Sequence, residues 1–106
     1  MIIGDRVVIG HQVTLHACTI ENAAMVGIGS IVLDMARIGE RAMLGAGSLL
    51  TPRKILQPET LWLGSPARLL RTRRTEEIEA TAKTVASYVK LIQRYQTASD
   101  AHFNIS

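Results

Sequence analysis

The chain has 106 residues, of which 47% are apolar but only 4% aromatic, and twelve Lys and Arg against nine Asp and Glu give it a net charge of +3. That length suits one domain with a modest, aliphatic core, and the mild charge gives no reason to expect a nucleic-acid partner. Nothing approaches the run of about eighteen apolar residues that a membrane span needs, and the start, Met1-Ile2-Ile3-Gly4-Asp5-Arg6, lacks the charged-then-apolar pattern of a signal peptide; the single cysteine, Cys18, forms no internal disulfide and points to a reducing cytoplasm.

From Ile3 an aliphatic residue recurs at Ile9 and Leu15. After one step of five residues it resumes every sixth residue at Ile20, Val26, Val32, Ile38, Leu44, Leu50 and Leu56. Glycine often follows it (Gly4, Gly10, Gly27, Gly39, Gly45), and a small or β-branched residue often stands four positions on (Val7, Val13, Thr19, Ala24, Ser30, Ala36, Ala42, Ser48). A period of six matches neither a helix face nor strand alternation. It matches a short flat strand and a corner, repeated, with the aliphatic residue inward and the glycines and small residues permitting tight turns and close stacking. Three units close a triangle of about eighteen residues, so the repeat predicts roughly three coils of parallel β-helix rising ~15 Å.

The repeat is expected over residues 1–70 and a helix with a tail over 71–106, within one domain. Leu63-Gly64-Ser65-Pro66-Ala67-Arg68 ends the repeat, because Pro66 donates no ladder bond and Gly64 permits a sharp bend. The arginines that follow (Arg68, Arg71, Arg73, Arg74) read as a solvated neck rather than a phosphate-binding patch, Trp62 being the one aromatic close in sequence. Thr75 suits a helix N-cap and Glu76 and Glu77 suit the positive end of the dipole. Ile78, Ala82, Val85, Val89 and Ile92 form an apolar stripe that Tyr88, Leu91 and Tyr95 widen. This helix is expected against the prism or a neighbouring subunit. From Thr97 the pattern fades, and a loosely held tail containing His102 is expected.

His11 and His16 lie five residues apart, third in one unit and second in the next. That places them on adjacent faces of the triangle, diverging within one chain. Around a threefold axis of packed prisms the two faces meet, so a metal would take His16 from one subunit and His11 from the next. Imidazole suits zinc and related divalent ions, and a catalytic zinc site ordinarily has three protein ligands and a water. The alternative is two surface histidines in ordinary hydrogen bonds.

The run Gly10-His11-Gln12-Val13-Thr14-Leu15-His16-Ala17-Cys18-Thr19-Ile20 resembles the signature of the gamma-class carbonic anhydrases and their ferripyochelin-binding-protein-like relatives, which are hexapeptide-repeat proteins. The resemblance continues through Gly27-Ile28-Gly29-Ser30-Ile31-Val32-Leu33-Asp34, Gly45-Ala46-Gly47-Ser48-Leu49, Leu63-Gly64-Ser65-Pro66-Ala67 and Ala86-Ser87-Tyr88-Val89-Lys90. It implies a left-handed parallel β-helix, against the general right-handed preference of parallel crossovers. It also implies homotrimers with a metal (zinc, or iron or cobalt) at each subunit interface. His11 and His16 match two of the family's three histidine ligands, held by different subunits, and Tyr88 matches a tyrosine that approaches the site from a neighbouring subunit; its other role is to widen the packing stripe. The implied activity is hydration of carbon dioxide, by a metal that lowers the pKa of its bound water to about 7.

Family members carry a longer N-terminal half, with the first histidine ligand, an arginine and aspartate near the interface, and acidic proton-transfer residues, none of which has a match here. The expectation is therefore an N-terminally truncated member with a partial metal site, weak or no metal binding, and impaired hydration. His102 is a candidate ligand in trans, whereas the repeat positions of Glu21 and Asp34 aim neither at the metal. The open first coil, with Ile2 and Ile3, is a candidate surface for stacking two trimers into a hexamer. Two other functions compete. One is a hexapeptide acyltransferase using His11 or His16 as general base beside a coenzyme A groove. The other is a non-catalytic trimeric scaffold.

Overall fold

The computed structural model describes the backbone of residues 1–105 and the side chains of residues 1–94. Ten two-residue strands come first: β1 (Ile2–Ile3), β2 (Val8–Ile9), β3 (Thr14–Leu15), β4 (Thr19–Ile20), β5 (Met25–Val26), β6 (Ile31–Val32), β7 (Arg37–Ile38), β8 (Met43–Leu44), β9 (Leu49–Leu50) and β10 (Ile55–Leu56). In each of them the second residue is the aliphatic member of the six-residue repeat. Every third strand pairs in parallel, giving the three walls of a prism: β1-β4-β7-β10, β2-β5-β8 and β3-β6-β9. The chain is thus mainly β, a parallel coil of about three turns followed by one helix.

The interior is a stack of aliphatic layers. Ile20, Val26, Val32, Ile38, Leu44, Leu50 and Leu56 are all at most 1% exposed. At ~1.5–3 kcal/mol for each fully buried aliphatic side chain, this column is the largest single stabilising contribution to the prism. Small residues complete each layer from the corners: Cys18, Ala24, Ser30, Ala36, Ala42 and Ser48 are buried. The two serines keep their hydroxyls satisfied, Ser30 Oγ donating to the Gly45 carbonyl at 3.0 Å and Ser48 Oγ accepting from the Gly64 amide at 3.1 Å. The expected small-residue position Thr19 is corrected here. Because the corner after β3 is one residue short, Cys18 takes the interior place and Thr19 becomes the first residue of β4.

Each corner turns on one residue of positive φ, and most of these are not glycine: Arg6, Gln12, Ala17, Ala23, Met35, Arg41, Arg53 and Glu59, with Gly29 and Gly47 completing the series. The glycines that follow the aliphatic positions serve close stacking instead. A Cβ on Gly27 would lie 2.5 Å from the Ala46 amide nitrogen, and one on Gly10 would lie 2.6 Å from that of Ile28.

The prism does not stop at the last hexapeptide. β11 (Thr60–Gly64) extends the β2-β5-β8 wall in parallel with β8, turns through a cis Ser65–Pro66 bond, and β12 (Ala67–Thr72) returns antiparallel along it. The β layer therefore ends at Thr72, two residues past the boundary read from the sequence. Helix α1 (Thr75–Ile105) follows. Its first hydrogen bond runs from the Ile78 amide to the Arg74 carbonyl, so Arg74 takes the cap position and Thr75 is the first helical residue. The helix continues past Thr97, where the apolar pattern fades; the side chains of Tyr95 and His102 lie outside the described residues.

Candidate metal centre

Both histidines belong to the wall β3-β6-β9. His11 stands at the corner that enters β3 and His16 at the corner that leaves it, so they mark the two edges of one wall rather than adjacent walls. Both are exposed. The His11 carbonyl accepts from the Gly29 amide at 2.9 Å, which fixes the backbone, and the imidazole has no hydrogen-bond partner among the described residues. No group of three His, Cys, Asp or Glu side chains converges on a metal-sized site among the described residues.

The one-residue deletion in the repeat shapes the His16 edge. Leu15 pairs with Val32, the His16 amide donates to the Val32 carbonyl, and the Met35 amide donates to the Ala17 carbonyl. Four corner residues, 33–36, therefore lie beneath three, 16–18. In this register Ala17 matches Met35, both with positive φ, and Cys18 matches Ala36, both buried. Asp34 is left with no counterpart in the coil above, and the His16 side chain descends to it: His16 Nδ1 contacts Asp34 Oδ1 directly. The repeat positions alone do not bring Asp34 to a histidine; the shortened corner does. Glu21 does keep away, its carboxylate being held by Arg37 Nη2 at 2.7 Å.

Exposed apolar side chains stand on and beside this wall, among polar Gln12, Thr14 and Asp34. Ile31 on β6 and the corner residues Ile28 and Met35 are 40%, 51% and 67% exposed. Tyr88 is elsewhere. Arg73 ties the helix to the Arg41 carbonyl at 2.9 Å, and Ile78, Ala82, Val85 and Val89 line a groove with Arg6, Ala23 and Arg41, along the corner between the other two walls. Tyr88 is 62% exposed on that helix, and the structure brings it to neither histidine of its own chain. Cys18 offers no ligand: burial pushes its thiol pKa up, and it faces the core.

The donor set fits a divalent metal in part. Among the described residues the His11 ring has no partner, and His16 has one nitrogen held by a carboxylate and the other without a partner, an arrangement common among metal-binding histidines. No third ligand joins them among the described residues.

A carbonic anhydrase of Geobacillus kaustophilus is 44% identical to this chain over 96 residues, covering 91% of the chain and 53% of that protein. The mitochondrial gamma carbonic anhydrase 2 of Arabidopsis thaliana is 33% identical over 102 residues, covering 96% of the chain and 37% of that protein. The chain belongs to the gamma carbonic anhydrase family. It spans about half the length, or less, of these gamma carbonic anhydrase relatives. Among solved structures, a hexapeptide transferase family protein of Anaplasma phagocytophilum superposes with a TM-score of 0.80 at 44% identity, over 88% of this chain and 60% of that one. The left-handed coil implied by the gamma carbonic anhydrase resemblance fits these hexapeptide-repeat neighbours. No family model matches the chain.

Proposed function

We propose that this chain forms a homotrimer in which the β3-β6-β9 wall meets a neighbouring subunit, bringing His16 of one chain and His11 of the next to a shared divalent metal, zinc in the first instance, with iron or cobalt as substitutes. The observation that carries the reading is the exposed wall itself: two available imidazoles at its edges with apolar Ile28, Ile31 and Met35 on and beside it. Such a surface gains stability when it is covered.

The substrate class that follows from the family is carbon dioxide, hydrated to bicarbonate with release of one proton. A metal held there supplies Lewis acidity, lowering the pKa of a coordinated water to about 7. His16, steadied by Asp34, and His11 of the adjacent subunit hold that metal. Ile28, Ile31 and Met35 limit water around it, and Tyr88 approaches the site from another subunit of the trimer. Two histidines leave the coordination shell short, so the proposed site binds weakly and hydration by the 106-residue chain is impaired. Two trimers stack through the first coil, where Ile2 and Ile3 are 67% and 45% exposed and β1, β2 and β3 have unpaired edges. The buried Cys18 thiol suits a reducing compartment such as the cytoplasm.

Metal analysis of gently purified protein, followed by stopped-flow carbon dioxide hydration after zinc or cobalt loading, tests the reading. The expected result is metal in the wild-type trimer that is lost in both His11→Ala and His16→Ala. Wild-type protein that retains and takes up no metal overturns it. A second reading, the non-catalytic trimeric scaffold, is favoured by the shortage of convergent ligands among the described residues. Bound metal with no hydration above background selects it.

A further inference from the structure

An ionised carboxylate offers only acceptors, and a neutral imidazole carries one proton on either of its two nitrogens. For a neutral imidazole, the contact between His16 Nδ1 and Asp34 Oδ1 is a hydrogen bond only with the proton on Nδ1, which then donates to Asp34 and leaves Nε2 as a lone pair. The contact is built into the backbone. The three-residue corner, one shorter than the corner beneath it, lacks the residue that would otherwise stack over Asp34, and the imidazole fills that place. Both side chains remain largely solvent-accessible, at 68% for His16 and 56% for Asp34, so the pair is no device for stabilising the core. Surface pairs of this kind contribute little to folding. Their arrangement instead determines which nitrogen of His16 faces outward.

We infer that Asp34 is a positioning residue for His16: it selects the Nδ1–H tautomer and fixes the ring so that Nε2 is presented, unprotonated, to a divalent metal at the subunit interface. The metal part rests on the function proposed above; the tautomer part does not. A carboxylate in this role both orients the ligand and raises its basicity, and losing one typically weakens metal binding by about 10- to 100-fold. The corner on the other edge of the wall lacks the device, because His11 has no carboxylate partner among the described residues.

The two parts are separable by experiment. Long-range 1H–15N NMR of the metal-free full chain, at about pH 8 where an ordinary imidazole is neutral, reads the tautomer directly. The wild type is expected to show His16 as Nδ1–H, and Asp34→Ala to shift it toward Nε2–H. A His16 tautomer that is Nε2–H in the wild type, or unchanged in Asp34→Ala, overturns the inference. Cobalt(II) titration followed by its visible absorption then reads the consequence. Asp34→Ala is expected to bind about 10- to 100-fold more weakly with an altered spectrum, Asp34→Asn to lose less, and unchanged cobalt affinity in Asp34→Ala overturns the positioning of a metal ligand. Far-UV circular dichroism confirms that the variants keep the wild-type fold. If wild-type protein binds no cobalt while the tautomer behaves as described, the interface site is wrong and the His16–Asp34 assignment stands.

Discussion

Gly27 and Gly29 stand two positions apart on the same corner and answer to different constraints. A Cβ on Gly27 meets backbone, with the Ala46 amide nitrogen at 2.5 Å and its Cα at 2.7 Å, so a whole coil must shift to admit it. Gly29 has φ of +72° and nothing within 4 Å of the added atom, so it faces only the local strain of the left-handed region. Overpacking against fixed backbone costs about 1–3 kcal/mol, and a left-handed non-glycine residue ~1–2 kcal/mol. Gly27→Ala is expected to be the more destabilising of the two in urea denaturation; equal midpoints would show that the coils yield more readily than their spacing suggests. From the repeat alone its glycines are expected to serve both turning and stacking. Only stacking is theirs at Gly10, Gly27 and Gly39, since the turning is done by residues such as Arg6, Gln12 and Arg41. Residue type hides those turns, because left-handed conformation in a non-glycine residue is imposed by the closed coil and not by local preference.

At the level of elements, α1 is held to the prism by a small polar knot. The Arg73 side chain is 1% exposed and donates from Nε to Glu77 at 3.1 Å, from Nη1 to the Arg41 carbonyl at 2.9 Å and from Nη2 to Thr81 at 3.0 Å. Glu77 also accepts from Arg71 Nη2 at 2.8 Å. The hydrogen bond from Arg71, joined by that from Arg73, holds the Glu77 carboxyl below the usual carboxylate range despite its partial burial. A carboxylate whose folded pKa is depressed contributes stability that is fully present above its unfolded pKa and is lost as the pH falls through the folded value. Thermal melts from neutral to strongly acidic pH should therefore show the helix anchorage weakening below the ordinary carboxylate range, and Glu77→Gln should flatten that acid limb; an unchanged limb would assign it to other carboxylates. The acidic first turn and the helix itself were legible in the sequence. The β11–β12 hairpin was not. Its start still obeys the prism, with Leu61 over Met43 and Trp62 over Leu44, and Trp62 stands six residues after Leu56; but it is an aromatic where every earlier unit has Ile, Leu or Val, and the spacing stops there. The helix's apolar stripe was legible too, yet Val89 and Ile92 remain 45% and 57% exposed within one chain, because sequence periodicity identifies a face without identifying what covers it.

For the whole molecule, the walls of the prism are not equivalent. The β2-β5-β8 wall is extended by the hairpin, and the β1-β4-β7-β10 wall carries the Arg37–Glu21 ion pair, whereas the β3-β6-β9 wall places Ile31 at its centre between two histidine-bearing edges. Under the proposed assembly, Ile31→Glu should convert the trimer to monomer in light scattering and reduce cobalt binding with both histidines intact; a trimer that survives the charge would move the interface to another wall. The same measurement on wild-type protein tests stacking, since trimers alone at working concentration count against the hexamer. The coil and its interior column could be read before any coordinates. The His16–Asp34 contact could not, because a repeat reading assigns each residue to a column and treats the single five-residue step as an interruption.

That interruption has a further consequence. The coils return to register by β4, so the missing residue disturbs one corner and leaves every later layer in phase. Length variation in this architecture is absorbed where it occurs. A corner can therefore acquire a new pairing between successive turns by deletion alone, without a compensating change in the core. The prism behaves as a scaffold whose chemistry is editable at its edges, and an omitted letter is as much an instruction there as a histidine.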